Sequence, residues 1–158
     1  MNRKIFAISI IVFIIDQVSK NVLSAILTLN KDVEIVKDFF YITLTNNYGA
    51  AWSILENKTI LIIIGTLIAL VIIYKFMYSF KMNKRNIIAF GILTGGILGN
   101  LIDRIIHGYV IDFLNFKIFG YNFPVFNIAD VAIVCGIFLL IYAIIKGEDK
   151  DENKVRNK

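Results

Sequence analysis

The sequence predicts an all-α membrane protein: four transmembrane helices with a cluster of carboxylates near one membrane face. Three observations carry this. Of its 158 residues, 58% are hydrophobic, against roughly 45–50% in an average soluble domain, and the mean hydropathy is +0.72. Four apolar runs approach or reach the roughly 20 residues that a hydrocarbon core requires of a helix. The basic residues fall on alternate connections between those runs, which is a topology signal rather than a groove-lining patch. The net charge of +5 is therefore not read as a nucleic-acid signal, and no nucleic-acid partner is expected.

The spans follow in order. The first covers about residues 5–27 and is interrupted by Asp16, Gln17 and Lys20. Met1-Asn2-Arg3-Lys4 could open a cleavable signal peptide. The run continues through Asp16–Lys20 without a convincing cleavage site, so an uncleaved span is expected. The second covers 59–76, with Lys75 able to snorkel at its end. The third covers 86–106 and the fourth 127–145. Residues 1–146 form one membrane domain on this reading, and 147–158 a charged cytoplasmic tail. The single proline, Pro124, falls in a connection, where it breaks no helix. Cys135 lies in the fourth apolar run and is expected to be an inert packing thiol.

Charge sets the orientation. Arg3, Lys4, Lys75, Lys81, Lys84, Arg85, Lys146, Lys150, Lys154, Arg156 and Lys158 flank one side, eleven in all. Lys31, Lys37, Lys58 and Lys117, four in all, flank the other. The positive-inside rule then puts both termini in the cytoplasm.

The two outer connections are long and aromatic. Phe39-Phe40-Tyr41-Ile42-Thr43-Leu44-Thr45 has the β-branched and aromatic composition of a strand, ending near Asn46-Asn47 and Gly49. The stretch from His107 to Phe126 carries Phe113, Phe116, Phe119, Tyr121 and Phe123, a density that suits the membrane interface and contact with lipid.

Ionisable groups within spans are expensive, so their depth is informative. Asp16 falls near mid-membrane, and Lys20 lies one turn, about 6 Å, further out on the same face. Asn100, Asp103 and Arg104 share the outer end of the third span. Gly91, Gly95 and Gly99 continue the row ending at Asp103, a small-xxx-small pattern that suits helix packing and aims Asp103 into the bundle. Asn127 and Asp130 sit three apart where the fourth span begins, and Asn127 suits a helix cap. Asp112 is embedded in Val110-Ile111 and Phe113-Leu114. Bland readings stand beside these: Asp103 with Arg104 as a bundle ion pair, Asn127 as a cap alone, His107 as an interfacial residue without a chemical role. A metal site is not expected, because zinc needs several His or Cys ligands and the chain has one of each.

Two carboxylates are the remaining catalytic resource. Close together they cannot both ionise easily, so one keeps its proton while the other accepts one from water, as in aspartic peptidases. A proton-coupled transporter using Asp16, or a non-catalytic assembly factor, would also fit these residues taken alone.

Five motifs resemble the bacterial lipoprotein signal peptidases, the signal peptidase II family. They are Asp16-Gln17-Val18-Ser19-Lys20, Asn47-Tyr48-Gly49-Ala50-Ala51-Trp52, Gly99-Asn100-Leu101-Ile102-Asp103-Arg104, Val110-Ile111-Asp112-Phe113 and Phe126-Asn127-Ile128-Ala129-Asp130. They cover nearly the whole chain, in the family's order and spacing; only the tail after Lys146 lies outside. The resemblance implies a plasma-membrane aspartic endopeptidase, without metal or cofactor, that cleaves diacylglyceryl-modified prolipoproteins before the lipidated cysteine. It implies Asp112 and Asp130 as catalytic dyad and Asn47, Gly49, Asn100, Arg104, Asn127 and Ala129 as substrate-binding positions. Asp16, Lys20 and Asp103 are implied to support the site. It also implies an extracytoplasmic β-cradle and an interfacial helix between spans three and four; a monomer is expected, and span geometry and charge bias put the active site near the outer face. Trp52, where many relatives carry phenylalanine, is a mild departure.

Overall fold

The computed structural model describes residues 2–49 and 58–149. Four helices are long and apolar enough to cross a membrane: α1 (Arg3–Ile26), α2 (Thr59–Met77), α3 (Lys84–His107) and α4 (Ile128–Ile145). Each lies within three residues of its expected bounds. Local chemistry sets three of the starts and one end. Asn2, Asn83 and Asn127 each accept a main-chain N–H from the first turn of α1, α3 and α4, satisfying a donor that the helix leaves orphaned. Gly108, at φ +81, ends α3 in the left-handed region, where a side chain would be strained.

The most buried span is α3, which packs mainly against α4 and α1, whereas α2 turns most of its surface outward. Glycines make the close packing possible. A Cβ on Gly91 would lie 2.6 Å from Ile8 Cγ2, and one on Gly95 would lie 2.6 Å from the carbonyl of Ser9. On the other side of the helix, a Cβ on Gly96 would lie 2.5 Å from the carbonyl of Ala129. The glycine row thus serves α1, as the packing reading anticipates, and Gly96 admits α4 as well.

A four-stranded antiparallel sheet caps one end of the bundle, in the order β1 (Asp32–Val36), β2 (Phe40–Asn47), β3 (Val110–Ile118) and β4 (Tyr121–Asn122). The strand expected at Phe39–Thr45 is β2, extended to Asn47. The interfacial helix implied between the third and fourth spans is not there. Those residues form β3 and β4, and no helix separates His107 from Ile128. The physical reason is the composition of Val110–Ile118, rich in β-branched and aromatic side chains, together with the open edge of β2, whose backbone groups need partners. Pairing sets Thr45 opposite Asp112 and Asn47 opposite Val110, with a register shift between Ile42 and Thr45.

One more pairing delivers α4 to the sheet. Leu114 and Phe126 form a bridge in which Leu114 N–H donates to the Phe126 carbonyl at 2.7 Å and Phe126 N–H returns a bond at 3.1 Å. The next residue, Asn127, therefore starts α4 beside Asp112. Ile5, Met77, Phe80, Phe90 and Ala143 form an apolar cluster at the far end. The sheet end is the polar one.

Candidate active site

A cavity of about 730 Å³ opens where the sheet meets α3 and α4. Both Asp112 and Asp130 line it, with Asn47, Asn100 and Arg104. Its remaining wall is largely apolar: Phe123, Pro124, Val125 and Phe126 from the connection before α4, and Val131 and Val134 from α4 itself.

Asp112 is 2% exposed. Its Oδ1 accepts the Asn127 amide at 2.6 Å, and its Oδ2 accepts the Asn47 amide at 3.0 Å. Asn47 reaches it because residues diagonal across an antiparallel pair share a face. Asn47 is itself held by Gly49, whose N–H donates to its Oδ1 at 3.0 Å. Burial foremost, then the negative charge of Asp130, pushes the Asp112 carboxyl up to about 7. The Asn47 and Asn127 amides and the Lys20 charge pull the other way.

Asp130 stands in the first turn of α4. Its Oδ1 accepts the Asn100 amide at 2.7 Å and its Oδ2 accepts the Asn127 N–H at 3.1 Å. The Asn127 side chain accepts the Asp130 N–H in return, completing a capping box. Asn127 is thus both the expected cap and a contact to each acid.

Behind the two acids, Lys20 is 1% exposed, a burial that an ammonium tolerates only when paired. It lies 2.8 Å from Asp16 and 2.8 Å from Asp103, and donates to Asn100 Oδ1 at 3.0 Å. The sequence suggests the Asp16–Lys20 pair but also an Asp103–Arg104 pair, and the latter is corrected here. Consecutive helical residues point in different directions, so Asp103 turns to Lys20. Arg104 instead donates to the carbonyls of Gly49 at 2.8 Å and Asn100 at 3.3 Å. Asp16 Oδ1 also accepts the Ala129 N–H at 2.9 Å, and Asp103 Oδ2 accepts the Ile111 N–H at 3.2 Å. These two carboxylates tie α1 and α3 to the backbone on either side of the candidate dyad.

Not every expected cleft residue faces the cavity. Gly49, Asn127 and Ala129 stand behind its lining, and Ala129 is fully buried against Gly96 and Gly99. Cys135 departs from its expected packing role: it is exposed and lines the cavity's apolar wall. Gln17 received no role from the sequence, yet it donates to Asp103 at 2.8 Å and to Asp16 at 3.2 Å. Its signal was an amide inside an apolar span. Trp52, Ala50 and Ala51 lie outside the described residues.

The chain is similar to known proteins. The family model described as signal peptidase (SPase) II matches residues 8–146. Lipoprotein signal peptidases of Staphylococcus aureus strains JH9 and Newman are each 38% identical over 163 aligned positions, covering 99% of this chain and all of theirs. Two solved structures, described as a bacterial membrane enzyme determined by the in meso method at 2.3 Å and at 1.9 Å resolution, superpose with TM-scores of 0.83 and 0.81. Each is 37% identical; they cover 92% of this chain, which covers 90% and 95% of theirs. With the family model reaching from within α1 to the end of α4 and including the sheet, the chain belongs to the signal peptidase II family.

Proposed function

We propose that this protein removes the signal peptide from diacylglyceryl-modified prolipoproteins, cutting before the lipidated cysteine, with Asp112 and Asp130 as the water-activating dyad. One observation carries the dyad: the two carboxylates line a single cavity and share Asn127 as hydrogen-bond donor. Hydrolysis then needs no other group. The anionic carboxylate takes a proton from water as its oxygen attacks the scissile carbonyl carbon, and the protonated one gives its proton to the carbonyl oxygen. As the tetrahedral diol collapses, the C–N bond breaks. The nitrogen takes the proton that came from water, and a diol hydroxyl returns the other, restoring the dyad.

Asn47, Gly49, Asn100, Arg104, Asn127 and Ala129 frame the cleft on this reading, and Asp16, Lys20 and Asp103 brace it. The protein would sit as a monomer in the bacterial plasma membrane with both termini cytoplasmic, as the eleven-to-four charge asymmetry supports. The sheet end would then face outward. That placement suits a lipidated substrate, because the acyl chains stay in hydrocarbon along the apolar wall while water reaches the bond.

The test is purified protein in detergent with a diacylglyceryl-modified prolipoprotein, followed by mass. Cleavage before the lipidated cysteine is expected, lost in Asp112→Asn and in Asp130→Asn while both remain folded. Full activity in either variant would remove the dyad assignment.

A further inference from the structure

We infer that Asn100, oriented by Lys20, is a positioning residue that keeps Asp130 the anionic, proton-accepting member of the dyad and leaves Asp112 as the acid. The inference rests on the dyad reading above and assigns its two roles.

An ammonium can donate but never accept. The atom of Asn100 that faces Lys20 Nζ at 3.0 Å is therefore its oxygen, and the same oxygen accepts from Asn127 at 3.1 Å. With Oδ1 so committed, the Asn100 NH₂ group must point the other way, to Asp130 Oδ1 at 2.7 Å. The second Asp130 oxygen faces a main-chain N–H at 3.1 Å, at a helix N-terminus, where the helix dipole favours negative charge. Both oxygens meet obligate donors, and one donor is polarised by a cation behind it.

Asp112 is supported differently. It lies on a strand and receives the side-chain amides of Asn47 and Asn127, whose own oxygens accept main-chain N–H groups rather than a cation. The Asn127 NH₂ has two hydrogens for three acceptors, the others being Asn100 Oδ1 and the Ile111 carbonyl. No lysine or arginine nitrogen lies within 4.0 Å of Asp112 or Asp130 among the described residues.

The charged groups around Asp130 can be named element by element. From α1 come Lys20 and Asp16, from α3 Arg104, with Asp103 behind it on Lys20, and from β3 Asp112. The β2 side of the cavity supplies neutral Thr45, Asn46 and Asn47. Lys20 also reaches Asp130 through the amide it orients. All Asn100 side-chain hydrogen-bonding groups but one N–H are engaged inside the protein, so from its place on the cavity wall it positions Asp130.

The test is the pH profile of kcat/KM for Asn100→Leu against wild type. The acidic limb, which reports ionisation of the base, is expected to move up by about one pH unit, so that cleavage well below the midpoint falls by about tenfold more than on the plateau. KM should stay near the wild-type value. A uniform loss with an unmoved limb, or a loss carried by KM, would overturn the inference. If Asn100→Leu does not fold, the infrared carbonyl band of a protonated carboxyl decides without turnover. Near pH 6 that band should vanish in Asp112→Asn and persist in Asp130→Asn; the opposite pattern overturns the assignment. Failure of the dyad reading looks different: one Asp variant would still cleave.

Discussion

Asn127 and Asp130 hydrogen-bond each other twice, the Asp130 N–H to Asn127 Oδ1 at 2.9 Å and the Asn127 N–H to Asp130 Oδ2 at 3.1 Å. The carboxylate proposed to move protons therefore also starts a helix, and the two roles can be separated. Asp130→Asn keeps a side-chain oxygen for the cap but cannot take a proton from water. Asp130→Ala loses both. Each variant should lose at least about a hundredfold in cleavage rate. Asp130→Ala should also lose about 1 kcal/mol of stability with the cap, read by thermal unfolding in detergent. An alanine variant as stable as wild type would contradict the capping role.

As the proposed acid, Asp112 would set the alkaline side of the reaction. As the acid it must hold its proton, and its carboxyl is pushed up to about 7. Cleavage should fall as pH rises through about 7, approaching a tenfold loss per further unit. The stability consequence has the same sign. Between an ordinary carboxyl value of 3.8 and about 7, the folded protein holds a proton that the unfolded chain has released. Stability therefore declines as pH climbs across that window. Asp112→Asn should flatten this decline in a plot of Tm against pH. A wild-type alkaline limb beyond about pH 9 would rule out Asp112 as the acid.

Much of this was legible in the sequence, for identifiable reasons. Span bounds follow from apolar run length, and the buried face of α3 follows from the four-residue glycine row, because both are local and periodic. Partner choice was not local. Asp103 has Arg104 beside it in the chain but meets Lys20 across a helix interface, and only the packing of α1 on α3 decides this. The aromatic stretch after His107 carried no period that distinguishes an interfacial helix from a strand. The free edge of β2, which settles it, is contributed by residues more than sixty positions earlier. Cys135 lines the cavity, which its apolar run does not foretell, because such a run does not say which of its faces meets a cavity.

Glycine contacts give a graded prediction. Adding a Cβ to Gly96 would bring it within 2.5 Å of the Ala129 carbonyl, part of a backbone that cannot give way without moving the start of α4. Gly96→Ala should cost about 1–3 kcal/mol and reduce cleavage as well, since Asp130 follows directly after Ala129. Gly65 has nothing within 4 Å of the same added atom, so Gly65→Ala should be neutral or stabilising by up to about 1 kcal/mol. Comparing the two variants in one thermal-unfolding series checks this. A Gly96→Ala protein as stable as Gly65→Ala would mean that α3 and α4 can part without cost.

Glu148 holds the opposite end of the bundle shut. By sequence it belongs to the charged tail, yet its Oε2 accepts the amides of Asn83 at 2.8 Å and Asn86 at 3.0 Å, and pairs with Arg85. Its carbonyl accepts the Lys81 N–H at 2.8 Å, so the end of α4 is tied to the start of α3. The Arg85 hydrogen bond foremost, then that of Asn83, lowers the Glu148 carboxyl from 4.5 to about 2. A depressed acid stabilises the fold above its unfolded value and loses that contribution as pH falls through its folded value. Glu148→Gln should thus unfold at a lower temperature than wild type at neutral pH. The gap should narrow from about pH 4.5 downward and close near pH 2. Cleavage near neutral pH should persist, because none of these contacts reaches the cavity between Asp112 and Asp130. A temperature gap that stays constant from pH 7 to pH 3 would show that the carboxylate charge is not what holds this end together.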